Sequence, residues 1–110
     1  MSTTMDVEPV VAEADRAFPA LYQLFGGYFH EDWRDEYDSS DVALRAFVSE
    51  APAQAIAAAR DELDRLLSSG FDDAALTRLL EHGFRCDYVP ATDGITSSQW
   101  LAHVQQLLAT

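Results

Sequence analysis

From Phe18 to Phe29 the chain places Phe18, Leu21, Tyr22, Leu24, Phe25, Tyr28 and Phe29 at steps of three and four residues. That period puts one broad apolar face on a helix, and such a face has to be buried against other elements. Pro19 suits the first helical position, where its missing N–H costs nothing. Gly26 and Gly27 interrupt the run. Each weakens a helix by roughly 1 kcal/mol relative to alanine, so their expected use is to let another element approach closely.

The rest of the chain repeats the pattern in shorter pieces. Asp38-Ser39-Ser40-Asp41 offers several N-caps for a helix carrying Val42, Leu44, Phe47 and Val48. Pro52 can open a third helix with Ile56, Leu63, Leu66 and Leu67 on one side, and Asp61 and Arg65 one turn apart on its surface. Ser68-Ser69-Gly70 ends it. Asp72 or Asp73 caps a shorter helix with Leu76, Leu79 and Leu80, stopped by Gly83. Residues 84–90 alternate in character and read as extended chain, at most one short strand, turned by Thr92-Asp93-Gly94. Thr96, Ser97 or Ser98 then caps a last helix bearing Trp100, Leu101, Val104, Leu107 and Leu108. The last 17 residues lack Asp, Glu, Lys and Arg, so burial around Trp100 and Leu101 is expected. The fold class that follows is all-α, an irregular bundle of about five helices. One domain spans residues 17–110, preceded by an acidic tail over 1–16 that turns helical near its end.

At 110 residues and 48% hydrophobic content, the chain can fill one core. No apolar run approaches the roughly 20 residues that span a bilayer. The N-terminal stretch, with Asp6, Glu8, Glu13 and Asp15, lacks the basic-then-apolar layout of a secretion signal, which points to the cytosol. Cys86 is the only cysteine, so neither an internal disulfide nor a thiolate cluster is available. Nineteen acids face seven bases, all of them arginine, for a net charge of −12. Phosphate contacts require basic side chains, so nucleic acid and anionic membranes are disfavoured as partners. A basic partner is favoured, although acidity also serves simple solubility.

Catalytic templates are missing: no glycine-rich phosphate loop, nucleophile elbow or HExxH occurs. His30, His82 and His103 fall on three different elements; His82 suits a helix C-terminus and His103 is expected on the surface. His30 with Asp32 and Asp35 is the only set that could hold a metal or move a proton. One imidazole with loose carboxylates falls short of the three convergent ligands a metal site uses. No metal or cofactor is therefore expected, and no catalysis.

Residues 31–41 hold six acids (Glu31, Asp32, Asp35, Glu36, Asp38 and Asp41) against one base, Arg34, with Trp33 and Tyr37 interleaved. Rings that give apolar area and acids that meet a basic surface suit a protein interface. The same two rings also suit the core, with the acids merely solvated.

The run Tyr28-Phe29-His30-Glu31-Asp32-Trp33, followed by Glu36-Tyr37 and by Ser40 with Ala43-Leu44 entering a helix, resembles the signature of contact-dependent growth inhibition immunity proteins. The likeness continues through the middle helix, Leu79-Leu80-Glu81, Gly83 and the Trp100-Leu101 helix, and covers about residues 18–108. Glu31 stands where members often have Gln, and Asp38 where many have Gly; both departures add negative charge. The resemblance implies a cytosolic protein without enzymatic activity. It implies binding to the C-terminal toxin domain delivered by a neighbouring cell, often a nuclease; a monomer pairing one-to-one with its toxin is the default expectation. On that basis Glu31, Asp32, Asp35, Glu36 and Asp38 are the expected toxin-facing residues. His30, Asp32 and Trp33 can instead serve the scaffold, with Asp32 capping a turn and Trp33 in the core, alongside Tyr28, Phe29, Tyr37 and Trp100. Two other readings stay open: an acidic adaptor for a different basic protein, and a small enzyme built on His30, Asp32 and Asp35.

Overall fold

The computed structural model describes residues 7–109, and every regular element among them is helical. In chain order these are α1 (Glu8–Ala12), α2 (Ala14–Ala17), α3 (Pro19–Tyr28), the single turn α4 (Trp33–Glu36), α5 (Ser40–Glu50), α6 (Ala53–Leu67), α7 (Asp73–Arg78) and α8 (Ser97–Ala109). A π-helical turn, Leu79–Gly83, continues α7, and a 3-10 turn, Pro90–Asp93, precedes α8. The all-α expectation holds. The five anticipated helices are α3, α5, α6, α7 with its π turn, and α8; the three remaining helices are one turn or little more.

Several starts follow from local side-chain oxygens. Ser39 Oγ accepts from the Val42 N–H at 3.2 Å, and Asp72 Oδ1 from the Ala75 N–H at 2.8 Å. At α8 the cap is reciprocal: Thr96 Oγ1 accepts from Gln99 N–H at 3.0 Å while Gln99 Oε1 accepts from Thr96 N–H at 2.9 Å.

Helix α3 starts differently, because Phe18 offers no capping oxygen. Pro19 has no N–H to satisfy. The Ala20 and Leu21 N–H groups both donate to Glu62 Oε1, at 2.8 and 3.0 Å, and Tyr22 N–H bonds Phe18 O at 2.9 Å. All first-turn donors are thereby accounted for, two of them by a carboxylate more than 40 residues away that is only 7% exposed. One turn further along α6, the Arg65 guanidinium donates to Ala17 O at 3.4 Å and lies over the Phe18 ring, 5.1 Å from its centroid. Arg65 therefore serves the α2–α3 corner, where the sequence suggested a surface pairing with Asp61.

Leu21, Leu24 and Phe25 of α3 enter a core shared with Leu63 and Leu66 of α6 and Trp100, Leu101 and Val104 of α8. Gly26 meets the expectation of close approach: a β-carbon there would sit 3.1 Å from Phe84 O. Gly27 does not, since nothing lies within 4 Å. No strand forms in residues 84–90: Phe84 is still helical, Arg85 is left-handed at φ 57 and Pro90 opens the 3-10 turn, while Cys86, Tyr88 and Pro90 turn inward and Arg85 and Asp87 stay exposed. Residues 8–16, within the stretch expected to be a tail, form α1 and most of α2, with Ala14 buried. Gly83 permits that packing, as a β-carbon would stand 3.1 Å from Ala14 Cβ and 2.7 Å from Leu79 Cδ1. Residues 1–6 of the expected tail lie outside the described residues. Among the described residues no helix is long and apolar enough to cross a membrane.

Replacing Glu62 by Ala strands two N–H groups in the interior and removes a helix cap, an expected loss of about 2–3 kcal/mol in urea unfolding. Glu62→Gln keeps an acceptor oxygen and should lose less than half as much; equal losses for the two variants would refute the capping role.

Candidate functional site

The acidic segment hangs from the end of α3, and Phe29 holds it there. The Phe29 ring is fully buried among Trp33 (centroids 5.3 Å), Trp100 (5.4 Å) and Tyr88 (6.0 Å), and its carbonyl accepts from Asp87 N–H at 2.7 Å. The chain then reverses through residues 30–32. Asp32 N–H donates to His30 Nδ1 at 3.1 Å, and Trp33 N–H to His30 O at 3.0 Å. With Nδ1 accepting, the ring proton sits on Nε2 and is donated to Glu36 Oε1 at 3.0 Å. Both nitrogens of His30 are thus used inside the turn. Among the described residues no three His, Cys, Asp or Glu side chains gather as a metal site would require. Asp32 is not a side-chain cap, contrary to one expectation; its backbone N–H is what the turn uses.

Trp33 is core, at 3% exposure. Its indole lies nearly perpendicular to Tyr88 and edge-on to Phe29, the arrangement in which a positive ring edge meets a negative face. The Arg34 guanidinium covers it from outside, 4.6 Å from the ring. Tyr37 is half-buried and stacks on Tyr28 at 6.2 Å, while Tyr28 stands edge-on to Phe47 and donates its hydroxyl to Glu50 Oε1 at 3.0 Å. The aromatic part of the motif therefore builds scaffold.

The carboxylates divide into two kinds. Glu36 is held by His30, and Asp41 accepts from His103 Nε2 at 2.9 Å, which ties α5 to α8. His103 makes this bond from the surface, as the sequence suggested, with its side chain 43% exposed. Glu31, Asp32, Asp35 and Asp38 are exposed, and their carboxylates have no hydrogen bond or ion pair among the described residues. Four like charges in eight residues gain nothing from one another or from the fold. Glu50 joins this neighbourhood through Tyr28, across 22 residues, and no local pattern announces it.

The site and fold together are those of a small all-α domain that presents an exposed acidic turn on an aromatic layer. A family model described as CdiI immunity protein matches residues 17–108, so the chain belongs to the CdiI immunity protein family. Among solved structures, a chain of the crystal structure of a CdiA-CT/CdiI complex from Y. kristensenii 33638 is similar, with a TM-score of 0.80 and 25% identity. The match covers 84% of this chain and 99% of that one. No curated protein matches.

Burial, and then the hydrogen bond to Glu50, push the Tyr28 hydroxyl up to about 12; burial, and then Asp93, do the same for Tyr88. Burial also raises Tyr37. A raised folded pKa means the folded state holds the proton more tightly. The resulting stabilisation is complete below the unfolded value near 10 and disappears as pH rises through about 12. Tyrosinate absorbance should therefore titrate late in the native protein, with unfolding beginning above pH 10. Tyr28→Phe should reduce the alkaline loss, and an unchanged alkaline profile would contradict the assignment.

Proposed function

We propose that this chain is an immunity protein that binds the toxin domain of its own contact-dependent growth inhibition system and neutralises it by occupying a basic surface. Membership of the CdiI immunity protein family and likeness to a chain of a CdiA-CT/CdiI complex support this reading. The observation that carries the location of the interface is the set of exposed carboxylates of Glu31, Asp32, Asp35 and Asp38, which the fold leaves unbonded, with Glu36 beside them. A buried aromatic layer holds them on one turn, so they are presented without being used internally.

The partner chemistry follows from the charge. A toxin that cleaves nucleic acid needs basic residues along its phosphate track, and a −12 molecule is attracted to such a track from a distance, which speeds encounter. Inhibition then needs no reaction: the chain acts by binding, in the cytosol where the toxin would act, as one copy per toxin.

The test is co-expression with the toxin domain encoded immediately upstream, followed by co-purification and association kinetics. Growth rescue and a stable complex are expected. Asp35→Lys with Asp38→Lys should leave the unfolding midpoint within about 0.5 kcal/mol of wild type, since neither carboxylate is bonded. The same pair should slow association roughly ten-fold or more at low salt, less at high salt. An unchanged association rate would place the interface elsewhere; failure of the wild type to rescue or co-purify would sink the immunity reading.

A further inference from the structure

Glu62 is the one buried charged side chain among the described residues, and capping α3 uses only half of its carboxylate. Oε1 accepts both the Ala20 and the Leu21 N–H, while Oε2 has no hydrogen bond or ion pair among the described residues. Arg65, one turn along α6, is turned to Ala17 O and the Phe18 ring instead. Nor is Oε2 sealed in: among the described residues, the side-chain polar atoms closed to solvent without a partner are the indole nitrogens of Trp33 and Trp100. Glu62 lines a depression of about 270 Å³, together with Pro19, Ala20 and Gln23 of α3, Phe47 of α5 and Ala55 of α6. A carboxylate oxygen left unpaired in so apolar a setting is costly, because little water reaches it.

We infer that this depression receives a lysine side chain of the toxin domain, with the ammonium on Glu62 Oε2 and the Gln23 side-chain oxygen and the methylenes against Pro19, Phe47 and Ala55. The inference rests on the immunity reading above. Chemistry selects the occupant. The lining side chains are apolar but for one carboxylate and one amide, which suits a long apolar stem ending in a charge. Arginine fits less well: its guanidinium pairs best with both oxygens of a carboxylate, and Oε1 is already taken by two backbone N–H groups. A second copy of this chain has no such side chain to offer, since the sequence contains no lysine. A free amine would surrender its freedom for a single ion pair, whereas a lysine on a domain already docked at the acidic turn arrives at high effective concentration. The two places adjoin along half-buried rings. Tyr28 meets Phe47 edge-on at 5.5 Å, donates to the exposed Glu50 and stacks at 6.2 Å on Tyr37, the residue that follows α4.

The test follows dissociation of the co-purified complex. Glu62→Gln keeps an acceptor for the Ala20 and Leu21 N–H groups but removes the charge, and should speed dissociation about ten-fold or more. Gln23→Lys supplies an ammonium from the rim itself; by occupying Oε2 it should speed dissociation by a similar factor. Gln106→Lys, the same charge change on the exposed side of α8, should speed it by less than about three-fold. Changing the toxin's lysines to methionine one at a time should then find one whose loss matters against wild type and not against Glu62→Gln. If wild type binds and Glu62→Gln dissociates at the wild-type rate, the lysine site is disproved while the immunity reading stands. Coupling of Glu62 to an arginine of the toxin, or to no lysine, overturns it equally. Absence of any wild-type complex would overturn the immunity reading, and this inference with it.

Discussion

Phe29 ties together segments that are otherwise far apart in the chain. Its ring fills the space between Trp33, Tyr88 and Trp100, and its carbonyl fixes the 84–90 segment through Asp87 N–H. Because α3 ends at this residue, the direction in which the acidic segment leaves the core is set by aromatic packing rather than by the acids. The His30 turn then needs only short local bonds to complete the reversal. Apolar burial supplies the energy here, and hydrogen bonds supply the direction.

The other end of α3 is held by a different kind of contact. Glu62 places a buried carboxylate against the first two available N–H groups, and Arg65, one turn away, takes the Ala17 carbonyl. Anchored at both ends from outside itself, α3 can carry Gly26 and Gly27 in its last turn without fraying. One of those glycines is used for the approach of Phe84 O. The second faces open space.

Much of this was legible in the sequence, and the parts that were not share a cause. The apolar period of α3, the caps at Ser39, Asp72 and Thr96, and the inward-outward alternation of residues 84–90 depend on neighbours within a few positions. So does the placement of Trp100 and Leu101 in the core. The Glu62 cap, the Arg65 corner, the Asp41–His103 bond and the Tyr28–Glu50 bond join residues 22 to 62 positions apart, and no spacing rule reaches that far. The motif string falls on the turn that carries the exposed carboxylates. It could not separate Trp33, which is core, from Asp35, which is free, because that division depends on which way a single helical turn faces.

The unbonded state of Glu31, Asp32, Asp35 and Asp38 bears on how such a chain can diversify. Side chains with no role in folding can be exchanged one at a time, charge for charge or size for size, without repacking the layer beneath them. If these positions form the proposed interface, a lineage whose adversary changes its surface can follow by drift there, while the aromatic layer stays as it is. On that interface the barrier to acquiring a new opponent is low, since folding places no demand on the side chains that would change.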